Sequence, residues 1–141
     1  SEDVFQTVEE LRLSRDVIFP GFVPDDDLPY WYSAAQVFVY PSAYEGFGLP
    51  VIEALACGVP TITTNGSSLP EAAGDAALLF PPDDSAALAE ALARLLADDS
   101  LQADLAARGP LQAARFTWQG AAQCTAAVYA RALNLPEAGI H

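Results

Sequence analysis

The run VYPSAYEGFGLPVIEALACGVPTITT, residues 39–64, reads as strand, glycine-rich turn, helix and strand in quick succession. Its start belongs to QVFVY, residues 36–40, a β-branched and aromatic strand that Pro41 stops. The next helix is expected from about Leu49 to Cys57, with Gly58 as its left-handed stop, before the strand PTIT. Between them, Gly46 and Gly48 carry no Cβ, so the turn can take positive φ and its amides can be approached closely. Pro50 fits the first turn of the helix.

Outward from this run the alternation continues. Residues 2–13 carry Val4, Phe5, Val8 and Leu11 at helical spacing, and VIFPGFV, residues 17–23, is expected as a short strand closed by Pro20 and Gly21. DDDLPYWYSAA, residues 25–35, starts a short helix behind an acidic cap, its aromatics Tyr30, Trp31 and Tyr32 packing that helix. SLPEAAGD reads as a short helix and AALLF as a strand; after PPDDS the remainder is helical at 86–97, 101–114 and 118–133. Four continuous apolar strands alternating with helices indicate an α/β fold, a Rossmann-like parallel sheet with helices on both faces. Residues 1–135 form the domain, 116–133 its terminal helix, and 136–141 a fraying tail.

Composition excludes several classes of function. With 141 residues and 52% hydrophobic content the chain can bury a real core. A net charge of −13 argues against a grip on nucleic acid or anionic lipid, which needs clustered positive charge. All six cations are arginines, and none lies between Asp16 and Ala93. Cys57 and Cys124 stand apart in apolar helical patterns and are expected as reduced, buried thiols. The single histidine, His141, ends the tail, so neither a histidine-dependent triad nor a metal site is expected, and no cofactor is indicated. The start has no signal-peptide layout and no uncharged run of eighteen apolar residues occurs, which suggests a cytoplasmic location, with peripheral attachment at the inner membrane face as a variant.

Two glutamates flank the turn. In a doubly wound sheet, ligands sit beyond the carboxyl ends of the strands, where loops enter helix N-termini. The amides at the start of the helix after Gly48 lie at the positive end of its dipole and suit a phosphate or a cluster of hydroxyls. Glu45 just before the turn and Glu53 one helical turn after it can face one crevice, and each carboxylate offers two acceptors to vicinal hydroxyls. The layout suits two sugars flanking a diphosphate. On spacing alone the plainer alternative is preferred: Glu53 favoured by the helix dipole, and Glu45 a solvated loop residue.

The surrounding pattern changes that balance. PSAYEGFGLPVIEALACGVPTI, with VIFPGFVPDDDLPYWYSAAQVFVYPS before it and RFTWQGAAQCTAAVY after it, resembles the carboxyl-terminal half of a retaining glycosyltransferase of GT-B architecture, in glycosyltransferase family 4. The family's Glu-x7-Glu motif matches Glu45 and Glu53, and the resemblance covers nearly the whole chain. It implies a nucleotide-diphosphate sugar donor, an acceptor hydroxyl of unspecified identity, and retention at the anomeric carbon without a metal. By the same resemblance Glu45 holds the transferred sugar as the catalytic carboxylate and Glu53 accepts the ribose hydroxyls. Gly46, Phe47, Gly48 and Leu49 would contact sugar and phosphate through their amides, and Gly21, Phe22 and Val23 would lie against the base.

The family's donor domain begins with strands that precede this chain's first helix and supply an Arg and a Lys facing the diphosphate. The chain is therefore expected to be a partial donor-binding domain, without its first strands and without the amino-terminal acceptor domain, and inactive on its own. The alternative is a non-catalytic nucleotide-sugar or protein-interaction module. Either way, a bare sheet edge predicts self-association.

Overall fold

The computed structural model describes residues 2–133, so the expectations for residues 136–141 fall outside the described residues. Helices α1 (Glu2–Glu10) and α2 (Leu28–Ala34) precede β1 (Phe38–Tyr40), α3 (Leu49–Ala56), β2 (Thr61–Thr64), α4 (Leu69–Ala73) and β3 (Ala77–Phe80). Three helices follow: α5 (Ser85–Ala97), α6 (Asp99–Ala113) and α7 (Trp118–Ala132). The three strands form one parallel sheet in the order β1-β2-β3.

Register and side-chain alternation create two faces, each with its own helical cover. Val39, Ile62 and Leu78 align across the strands, and beneath them Ile62 and Phe80 pack with Leu88, Leu92 and Leu95 of α5 and Leu105 of α6. On the opposite face Tyr40 joins Val51 and Leu55 of α3 and Leu69, Ala72 and Ala73 of α4. Leu55, Ile62, Leu69 and Leu95 are fully buried, each contributing roughly 1.5–3 kcal/mol relative to exposure. α6 reaches both clusters, through Leu105 and Ala113.

β2 is TITT, and all four residues are buried. A buried hydroxyl without a partner is costly, so each threonine must find an acceptor. Thr61 Oγ1 donates to the Val59 carbonyl at 2.9 Å, Thr63 Oγ1 to that of Tyr40 at 2.9 Å, and Thr64 Oγ1 to that of Ser42 at 2.6 Å. The last two bonds fasten the end of β1 and the loop after it to the central strand. They also explain polar β-branched residues in a buried strand.

Several expectations need correction. Residues 17–23 form no strand: a strand needs a ladder partner, and their recorded bonds and ring contact run back to α1 and its following turn, through Val17 N to Leu13 O at 3.0 Å and Phe19 on Phe5. Asp27 stands at the N-cap of α2 without a side-chain cap bond, whereas Asp84 does cap α5, accepting from the Ala87 amide at 2.9 Å. Tyr30 and Trp31 are exposed rather than packed. Cys57, the C-cap residue of α3, is only half-buried, and Cys124 is exposed on α7. α7 has no buried residue, and Trp118 and Tyr129 face outward.

Candidate functional site

The loop between β1 and α3 sits at the carboxyl end of the sheet. Gly48 is the N-cap of α3 with φ 92°, and no side chain caps the helix; Pro50 has no N–H and Val51 N donates to Gly48 O at 3.0 Å, so among the described residues the amides of Gly48 and Leu49 are the ones open to an external acceptor. Glycine is required here twice over: the φ is left-handed, and a Cβ would come within 2.6 Å of Leu69 Cδ2. Gly46, by contrast, has open space around its Cα, consistent with a surface that a ligand could approach.

Glu45 is held by both of its polar ends. Tyr40 Oη, at the end of β1, donates to Glu45 Oε1 at 2.6 Å. The Glu45 carbonyl accepts from Ser67 Oγ at 2.6 Å and Ser68 Oγ at 3.0 Å, which binds the loop to the start of α4. Ser67 takes φ 53° in doing so, a conformation that a non-glycine residue adopts only when its surroundings enforce it. The Tyr40 hydroxyl, and after it the Ser42 hydroxyl, lower the Glu45 pKa; the same bond, followed by burial, raises that of the Tyr40 phenol.

Glu53 lies on α3, exposed, with its Oε2 accepting from Tyr32 Oη of α2 at 3.0 Å. Burial, and then this bond, push the Tyr32 phenol well above its usual value. Each glutamate thus has one oxygen engaged by a phenol, and Glu45 has the Ser42 hydroxyl beside it as well. Phe47, next to Gly48, meets Phe116 edge-on at 5.4 Å, so the turn is braced by the segment that leads into α7. Leu49 is half-exposed at the helix start.

The structure does not join every anticipated residue to this loop. Gly21, with φ 72°, and Phe22, which is exposed, share no hydrogen bond or ring contact with residues 45–49 among the described residues, and neither does half-buried Val23. Glu71 occupies the first turn of α4, as expected of an acidic residue at a helix start. Arg108 pairs with Asp104 at 2.6 Å and Asp75 at 3.5 Å, and Arg115 donates to Gln112 Oε1 at 3.1 Å. Neither guanidinium is recorded against the loop.

Tyr40 and Ser68 went unnoticed in the sequence, while Ser67 there suggests no more than a turn residue or a weak ligand contact. Tyr40 had a readable signal, since it ends a strand five residues before Glu45 and points to the same face as Phe38. Tyr32 was read as packing, and its bond to Glu53 spans 21 residues, which no local pattern reveals.

Known proteins supply the context for this geometry. The O-antigen chain mannosyltransferase B of Escherichia coli is 45% identical over 126 residues, covering 89% of this chain and 33% of that protein. Sucrose-phosphate synthase from Thermosynechococcus elongatus superposes with a TM-score of 0.84 at 35% identity, over 94% of this chain and 34% of the other. The Anabaena protein HepE, solved in complex with UDP and glucose, matches with a TM-score of 0.75 at 26% identity, over 81% of this chain and 31% of its own. The chain spans about a third of the length of these proteins. Residues 2–112 match the family described as glycosyl transferases group 1. Fold, turn and match agree, and the chain belongs to that family, with the architecture of a GT-B carboxyl-terminal half.

Proposed function

We propose that this chain is the donor-binding part of a retaining glycosyltransferase that moves a sugar from a nucleotide diphosphate to an acceptor hydroxyl. The observation that carries this reading is the uncapped start of α3, with Glu45 before it and Glu53 one turn inside it, each held by a phenol. The UDP and glucose bound to HepE support a donor of this class. In the proposed arrangement Glu53 accepts the ribose hydroxyls and Glu45 orients the transferred sugar. The amides of Gly46, Phe47, Gly48 and Leu49 meet sugar hydroxyls and phosphate, and Gly21, Phe22 and Val23 turn toward the base when donor is bound.

The chemistry follows from these roles. The bond from the anomeric carbon to the diphosphate oxygen breaks and the bond to the acceptor oxygen forms on the same face, while the acceptor proton passes to the leaving phosphate. Charge grows on that diphosphate, so cations facing it would carry much of the rate. The recorded partners of Arg108 and Arg115 lie elsewhere, and the 141-residue chain alone is therefore proposed to turn over little or no donor. A cytoplasmic location, peripheral at the inner membrane face, goes with this reading.

Calorimetric titration of the full-length protein with a panel of UDP- and GDP-sugars tests the proposal. Saturable binding of one of them, followed by transfer to an acceptor with retained anomeric configuration, is expected; binding of none, or inversion, would overturn it.

We also propose that the isolated chain self-associates. β1 is an edge strand with one side unpaired among the described residues, and Phe5, Ile18, Phe22 and Trp31 are exposed. Sedimentation of the 141-residue chain should show concentration-dependent dimers or larger species, and a monomer across the micromolar range would rule this out.

A further inference from the structure

Three aromatic rings join the two carboxylates. The Tyr32 ring meets Phe38 edge-on at 5.2 Å, and Phe38 stacks on Tyr40 at 6.2 Å with 16° between the planes. Phe38 and Tyr40 share a face of β1 because side chains alternate along a strand, and Tyr40 packs on the buried cluster of α3 and α4. The two phenols end on opposite targets: Tyr40 on Glu45 at 2.6 Å, Tyr32 on Glu53 at 3.0 Å.

We propose that Tyr32, Phe38 and Tyr40 act as a positioning row, in which Tyr40 aims Glu45 at the donor sugar and Tyr32 aims Glu53 at the ribose. The inference rests on the donor-site reading and deepens it. Glutamate is long and rotamer-rich, so holding it in one geometry costs entropy on binding. A phenol on a packed ring sets that geometry in advance, and by taking a single oxygen it leaves the second for a ligand hydroxyl. The Tyr40 hydroxyl donates to ionised Glu45, so it also favours a carboxylate that accepts.

Tyr40 is the titratable group recorded against the Glu45 carboxylate among the described residues; Ser42 adds a hydroxyl, while Ser67 and Ser68 reach only its carbonyl. The sign of the pH effect follows. The Tyr40 bond keeps Glu45 ionised to lower pH, so removing it raises the Glu45 pKa and moves the acid limb of turnover toward higher pH.

Phenylalanine substitutions test this cleanly, since they keep each ring and remove only the O–H. In the full-length protein, Tyr40→Phe should lower kcat roughly fivefold, about one net hydrogen bond, with KM for donor unchanged and the acid limb shifted upward. Tyr32→Phe should raise KM and Kd for donor by a similar factor, with kcat unchanged. Circular dichroism and the melting temperature of both variants should stay at wild-type values. If both keep wild-type kinetics and pH profile while Glu45→Ala and Glu53→Ala impair transfer and binding, the positioning role is overturned and the donor site stands. If the alanine variants are silent too, both fall. A variant that unfolds assigns its hydroxyl to structure and likewise overturns the proposal.

Discussion

Glu53→Ala in the full-length protein is expected to weaken nucleotide-sugar binding about 10- to 100-fold, because a hydrogen bond to a charged group is worth about 1.5–3 kcal/mol. The effect should appear equally with the bare nucleoside diphosphate, since the lost contacts are to ribose. Glu45→Ala should behave differently. It removes an acceptor proposed to face the transferred sugar, so turnover should fall on the order of 100-fold while affinity for the bare diphosphate stays near wild type. Calorimetry with diphosphate alone, beside steady-state transfer with the complete donor, separates the two effects. Equal losses in both assays for both variants would mean that the glutamates do not divide ribose from sugar.

The contrast has a structural basis in how each glutamate is carried. Glu53 is on a regular helix, exposed, and touched by one phenol from α2. Glu45 belongs to a loop pinned by Ser67, Ser68 and, through Ser42, by Thr64 of β2. A side chain carried on a loop whose backbone is pinned at three points suits placement of a reacting group, whereas a helical carboxylate suits a constant anchor.

How much of this was legible in the sequence depends on how local each feature is. The strand, the glycine turn and α3 were readable because Pro41, Gly48 and Gly58 mark their ends within a few residues, and Gly58 does take φ 69°. The pair Glu45 and Glu53 could be found by spacing once the flanking pattern gave it meaning. Residues 17–23 misled because Val, Ile and Phe carry strand propensity, while a strand exists only with a neighbour to pair with. The bonds that fix the loop were not legible, since Thr63 to Tyr40 and Ser67 to Glu45 join residues more than twenty apart. Those pairs depend on which strands become neighbours, and on which face each hydroxyl emerges.

Gly109→Ala is expected to destabilise the 141-residue chain by about 2 kcal/mol net, and to do so against the local preference of the helix. Gly109 is buried in α6, where alanine would ordinarily be favoured over glycine by ~1 kcal/mol. Here a Cβ would fall 2.7 Å from the Leu55 carbonyl oxygen and 3.3 Å from its Cα. Both belong to the backbone of α3, which cannot swing aside as a side chain could. Overpacking costs about 1–3 kcal/mol, and against backbone at 2.7 Å the upper end applies, about 3 less the helical gain of about 1, or about 2 net. The next residue, Pro110, cannot donate to the Ala106 carbonyl, so α6 has little spare hydrogen bonding with which to hold a shifted position. Thermal unfolding followed by circular dichroism should show the melting temperature falling by roughly 6–10 °C. A variant as stable as wild type would mean that the two helices separate without cost and that propensity decides. Since α3 carries Glu53 midway along its length, separation from α6 also displaces the ribose anchor. Weaker donor binding should therefore accompany the lost stability in the full-length protein, at a position whose own atoms never approach the ligand.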